Sequence, residues 1–212
     1  KIGLSKSLLT KTANHMQRAK EVLDQQVKEL AQQICTCQMG DILINLPGLL
    51  EVQTELQYRL FAKALRWVSS KIYNPKFAAL VATLESVCDG KAQTLHGCYI
   101  AAKGREMRIA REPRAVLQEN HPFCSGLIWD QRWKIDCLNS RSMTVCHVAP
   151  LGRTGADWVR KRSDTVLPYK SIQSHPGVYD NTGLLSAPSL VKNKQFVATF
   201  CSLPFEGTLL AY

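Results

Sequence analysis

"LHGCYIAAKGREMRIAREPR", residues 95–114, decides how this chain is read. From Thr94 onward polar and apolar residues alternate, which is the period of a half-buried strand. Lys103-Gly104 interrupts the alternation, and glycine tolerates the positive φ of a two-residue turn, so the spacing predicts a β-hairpin. Met107 and Ile109 are then expected toward the core, with Arg108 and Glu106 facing out. Arg105 flanks the turn and Arg111 marks the far end of the strand. Lys103, Arg105, Arg108, Arg111 and Arg114 are opposed only by Glu106 and Glu112. The charge is concentrated, but it does not lie on a single face.

Upstream the period is helical. Leu4, Leu8, Thr12, Met16, Ala19, Leu23, Val27, Leu30 and Ile34 recur every three or four residues, one stripe of a long helix. At 1.5 Å per residue it spans about 45 Å, and it reads either as a helix packed on its own domain or as a connector laid against a further one. After an apolar run, Ile42–Leu46, Pro47-Gly48 is expected to break the chain. Val52, Leu56, Leu60, Ala64, Leu65 and Val68 resume the helical period, with Arg59, Lys63 and Arg66 on another face. Asn74 is the expected N-cap of the next helix, Pro75 its first residue and Gly90 its terminator.

Downstream, "EPRAVLQENHPF" (112–123) reads as a connector. Strands are expected around 125–130, 132–137, 143–149, 183–188 and 195–201, and helices over 154–162 and 168–174. The fold class is α+β in three parts: 1–45, a long connecting helix; 46–117, a helical domain with the basic hairpin; and 118–212, a small mixed α/β domain.

The chain of 212 residues carries a net charge of +10 and a pI near 9.3, a balance suited to nucleic acid, anionic lipid or acidic protein. No apolar run reaches the length of a membrane span, and no signal peptide is expected. The eight cysteines lack zinc-knuckle spacing and sit mostly in apolar surroundings, so a reducing, cytoplasmic setting without metal is expected. Paired carboxylates and Gly-rich phosphate loops are absent, as are Gly-x-Ser-x-Gly and His-Glu-x-x-His. No catalytic, cofactor or metal residue is assigned.

The charge carries the functional reading. Residues 59–117 hold eleven Lys and Arg against four Asp and Glu, whereas 118–212 hold ten against seven. Arg59, Lys63, Arg66, Lys103, Arg105, Arg108, Arg114, Arg160, Lys161 and Arg162 are the expected phosphate contacts. Arg105 and Arg108 lead, and Arg111 is left to structure. Aromatic residues are too sparse to indicate base stacking, so duplex or folded RNA is expected rather than single strands.

Taken in order, residues 95–114, "LIWDQRWKI" (127–135) and "LPYKSIQSHPGVYDNTGLLSAP" (167–188), preceded by the helix "GLSKSLLTKTANHMQRAKEVL" (3–23), resemble one family. They are similar to the region following the catalytic domain of bacterial tRNA(Ile)-lysidine synthetases. The resemblance implies a ligase that activates the wobble cytidine of the CAU-anticodon isoleucine tRNA with ATP, after which the ε-amine of L-lysine displaces AMP. In that family the chemistry belongs to an ATP pyrophosphatase domain bearing Ser-Gly-Gly-x-Asp-Ser, a motif found nowhere in these 212 residues. By resemblance, then, ATP with Mg and L-lysine bind in a catalytic domain outside this sequence. This part is expected to grip tRNA, to contact its own N-terminal catalytic domain, and to be inert alone. A homodimer is left open. Two other readings also stay open: a winged-helix-like regulator of duplex DNA, since helices followed by a basic hairpin describe a wing, and a protein-interaction module whose charge serves solubility.

Overall fold

No Gly or Pro interrupts the chain between Lys6 and Ile34, and it forms one helix there, α1 (Lys6–Ile34). A computed structural model describes residues 6–138 and 145–209, so Leu4 and residues 143–144 of the expected strand lie outside the described residues. Only the second half of α1 is packed. Asp24, Val27, Leu30 and Ala31 are buried, while residues 6–19 are exposed on every face.

The helix ends at Ile34, and residues 35–45 form a hairpin rather than extending the connector. Strands β1 (Cys35–Gln38) and β2 (Asp41–Asn45) pair antiparallel through Met39 and Gly40, both at positive φ. The Asn45 side chain then accepts from Gly48 N and caps a short helix, α2 (Leu46–Leu50). Pro47 does not break the chain, because it sits in the first turn, where a missing N–H costs nothing. Helices α3 (Thr54–Ser69) and α4 (Phe77–Cys88) follow. Asn74 is not the N-cap of α4. Lys76 holds that position without a side-chain bond, and Phe77 is instead fixed edge-on against Tyr58 of α3, with ring centroids 5.4 Å apart. Gly90 ends α4 as expected, at φ +81.

Strands β3 (Gln93–Leu95), β4 (Cys98–Lys103) and β5 (Glu106–Arg111) complete a five-stranded antiparallel sheet in the order β1-β2-β5-β4-β3. Lys103 pairs with Glu106, so the turn residues are Gly104 and Arg105, one position later than expected. Helices α1, α3 and α4 cover one face, and Met107 and Ile109 are fully buried among them as the alternation requires. The hairpin is no projecting wing, because β5 is bonded on both edges, to β2 and β4.

After a 3₁₀ turn (Pro113–Val116) come β6 (His121–Pro122), β7 (Leu127–Trp129), β8 (Trp133–Cys137) and β9 (His147–Pro150). Helices α5 (Gly152–Arg160) and α6 (Tyr169–Gln173) are followed by β10 (Pro176–Asp180), β11 (Gly183–Ser186), β12 (Phe196–Phe200) and α7 (Phe205–Thr208). Two further antiparallel sheets result, β11-β10-β9-β6 and β12-β8-β7, around Trp129, Trp133, Ile135, Val148, Val178 and Phe196. The architecture is therefore α+β, a helical part followed by a strand-rich one. The last helix returns to the beginning, for Phe205 and Leu209 are fully buried in the core built by α1, α3 and α4.

Buried charge joins the helical part to the strand-rich one. Arg108 does not face solvent as the alternation predicts, because α6 packs on that face of β5. Its guanidinium donates to Asp41 Oδ2 (2.9 Å) and Gln38 Oε1 (2.6 Å), and Asp41 also accepts from Ser171 of α6 (2.6 Å). Arg111 grips both oxygens of Asp130 (2.9 and 2.7 Å) and donates to the Gly97 carbonyl. Arg132, fully enclosed, donates to the Gly40 carbonyl and lies over the rings of Phe200 and Trp67.

Candidate nucleic-acid interface

The expected cations fall into three groups. Helix α3 presents Arg59, Lys63 and Arg66 at i, i+4 and i+7, and these line a cleft of about 370 Å³ with Lys20 of α1. Arg59 and Lys63 have these partners. Arg59 Nε donates to Glu55 one turn back (2.6 Å), while Lys63 Nζ meets Asp24 Oδ1 (3.1 Å) and the Leu209 carbonyl (2.6 Å). Lys63, with only 15% of its side chain exposed, ties α1, α3 and the C-terminal segment together.

The second group is the hairpin tip. Lys103 and Arg105 are exposed, Gly104 has open space around it at φ +61, and the Arg105 carbonyl accepts from Leu46 N (2.9 Å). The tip is thus braced from behind by α2 while its cations point to water. Arg114 is exposed on the 3₁₀ turn. Arg108 is set apart from this group by its bonds to Asp41 and Gln38, with 15% of its side chain exposed.

The third group closes α5. Arg160, Lys161 and Arg162 are exposed. Arg160 lies 4.8 Å over the Tyr169 ring and Arg162 4.3 Å over Trp158. The Tyr169 hydroxyl donates to Asp157 Oδ1 (2.9 Å), and this hydrogen bond raises its pKa. Both guanidiniums are held over aromatic rings, which limits the conformational freedom of the two long side chains. Sequence reasoning missed this stacking, although the i, i+4 spacing of Trp158 and Arg162 on a helix signals it.

Buried titratable groups among the described residues have strongly shifted pKa values. His175 is buried against Trp133 and bonded to Ser189, and burial together with the charge of Arg132 pushes its pKa down to about 3. Burial lifts the Cys35 and Cys98 thiols to about 12. Among the described residues, no three His, Cys, Asp or Glu gather to hold a metal, and no helix is long and apolar enough to cross a membrane.

No family model matches the chain. Three curated relatives do, each named tRNA(Ile)-lysidine synthase. The protein from Ruegeria pomeroyi is 27% identical over 187 residues, 88% of this chain and 43% of the relative. That of Wolbachia pipientis wMel is 29% identical over 150 residues, 68% of this chain and 34% of the relative. The protein from the Wolbachia of Brugia malayi is 28% identical over 121 residues, 55% of this chain and 28% of the relative. The chain spans less than half the length of each relative it matches. The resemblance to the tRNA(Ile)-lysidine synthetases is borne out along most of this chain's length.

Proposed function

We propose that this chain is the tRNA-holding, C-terminal part of a tRNA(Ile)-lysidine synthetase. The observation that carries the reading is the similarity over 88% of the chain to a protein of which it spans 43%. The groups at the hairpin tip, on α3 and at the end of α5 supply the contacts, through Arg59, Arg66, Lys103, Arg105, Arg114, Arg160, Lys161 and Arg162. Lys63 and Arg108 support the fold that presents them. ATP, Mg and L-lysine do not fit the residues present, since these 212 residues contain no pyrophosphatase motif and no described acidic cluster. Their chemistry belongs to the catalytic domain, and this chain alone forms no lysidine.

Filter binding across a salt series, with CAU-anticodon isoleucine tRNA, a second tRNA and duplex DNA, tests the proposal. Six phosphate contacts give a slope of log affinity against log salt of roughly −4 to −5. Arg105→Ala should lower that slope by about one, uniformly across tRNAs. Preference for duplex DNA, or no tRNA binding at low salt, would overturn the proposal.

A further inference from the structure

The chain carries a net charge of +10, yet one cleft has no cation among its described lining residues. It measures about 560 Å³ and opens where the helical part meets the strand-rich one. The β1–β2 hairpin supplies Cys37, Met39 and Gly40, β12 supplies Phe200, and the segment around α7 supplies Pro204 and Glu206. Glu206 is the one charged side chain among the described lining residues. Asp24, Asp41 and Asp130 each meet a Lys or Arg, but no described cation pairs with Glu206. Its charge reaches the thiol beside it: burial first, and then Glu206, raise the pKa of Cys37 against a hydrogen bond to the Phe205 backbone. Cys37 is thereby held protonated, and a thiol that stays protonated is no nucleophile.

The rest of the lining is neutral. Met39 is 44% exposed on one wall. Phe200 is half-buried, with Trp67 and Trp133 packed against its ring at 5.4 and 5.0 Å. Thr199 and Ser202 add hydroxyls. Arg132 lies over the rings of Phe200 and Trp67 without lining the cleft, and Asp41 and Asp130 offset its charge. An ammonium group brings one positive charge and three N–H donors, which a carboxylate and two hydroxyls can answer. A hydrocarbon body would displace water from Met39 and Phe200. A phosphate, or the α-carboxylate of a free amino acid, would meet Glu206 with no described lining cation to oppose it, which disfavours nucleotides and amino acids alike. The volume lies in the range of small-molecule sites, about 300–1,000 Å³, and such sites favour the seam between two parts of a chain.

We propose that this cleft binds a small organic monocation, a protonated amine on an apolar body, with the ammonium on Glu206 and the body against Met39 and Phe200. The site is independent of tRNA holding, whose proposed contacts are on other side chains.

Three probes of one shape test it on the whole chain: phenethylamine, phenethyl alcohol and phenylacetate, alike in their ring and different in charge. Each is titrated into protein with labelled methionine methyls and followed by NMR. The amine should shift the Met39 methyl saturably at millimolar concentration, and leave Met16, on the exposed half of α1, unmoved. The alcohol should bind about tenfold more weakly, for want of one charge-assisted hydrogen bond, and phenylacetate should leave Met39 unmoved. Glu206→Gln should bring the amine down to the affinity of the alcohol without changing that of the alcohol itself. Glu206 has no described ion pair to lose, so the variant keeps the fold, which the amide spectrum verifies. An unmoved Met39 with the amine, equal affinity for amine and alcohol, or phenylacetate binding as tightly as the amine would each overturn the proposal without recourse to a variant. Amine affinity unchanged by Glu206→Gln would overturn it as well.

Discussion

Arg108 and Arg111 stand three residues apart on β5, and both end on aspartates that lie out of water. Their burial separates them from Lys103 and Arg105, whose charge is free at the hairpin tip. Arg111→Ala would strand Asp130, only 5% exposed, without its partner. The expected loss is about 3–5 kcal/mol, measured from the denaturation midpoint, and Arg111→Met with Asp130→Leu should lose less. His175 gives the chain a defined acid sensitivity. Its folded pKa of about 3 lies below the usual imidazole value, held there by burial and Arg132, while Ser189 and Trp133 face it without charge. Between pH 6.5 and 3 the unfolded chain therefore holds the extra proton, and stability falls as pH falls, by about 1.4 kcal/mol per unit for a full proton difference. His175→Asn should flatten the stability profile between pH 6 and pH 4 relative to the unaltered chain. Asp41, whose pKa burial raises, contributes the opposite slope in both proteins and cancels in the comparison.

Helix α1 behaves as two halves under one sequence pattern. From Leu23 onward its stripe is packed on α3 and the sheet, but Leu8, Leu9, Met16 and Val22 are exposed. An unsupported helical half of this length is marginal in water. Amide exchange should therefore be fast over residues 6–19 and slow over 27–34, and equal protection along the helix would contradict this. The stripe was legible because period 3.6 is a local property, and what covers it is not. The hairpin was legible for the same reason, down to the burial of Met107 and Ile109. The pairing of β2 with β5 was not, since it joins residues more than 60 positions apart and leaves no trace in either segment. Arg108 was read as solvent-facing because a polar residue in an alternating strand looks the same whether water or a buried aspartate answers it. Asn74 was read as a cap from its residue type, whereas the contact of Phe77 with Tyr58 decides where α4 begins. The charge at Lys103, Arg105 and the end of α5 was visible from composition, but the bond from Lys63 to the Leu209 carbonyl, 146 residues away, was not.

At the scale of the whole molecule, the helical and strand-rich parts share a charged junction rather than a flexible linker. Arg132 is its centre, enclosed by Gly40, Trp67 and Phe200. Removing it should uncouple the parts, so Arg132→Ala is expected to split one cooperative thermal transition into two, read by calorimetry. A single transition at a lower temperature would mean that the aromatic contacts of Trp67, Phe200 and Trp133 suffice alone. The route of the chain has a further effect. Phe205 and Leu209 fill the core begun by α1, and Lys63 bonds the carbonyl of Leu209. Synthesis runs in the N- to C-terminal direction, so residues 6–117 leave the ribosome before residues 205–209, which complete that core in the folded chain. At about 5–20 residues per second the wait is roughly 5–20 s, during which the apolar floor of that core is open to water and to any chaperone within reach.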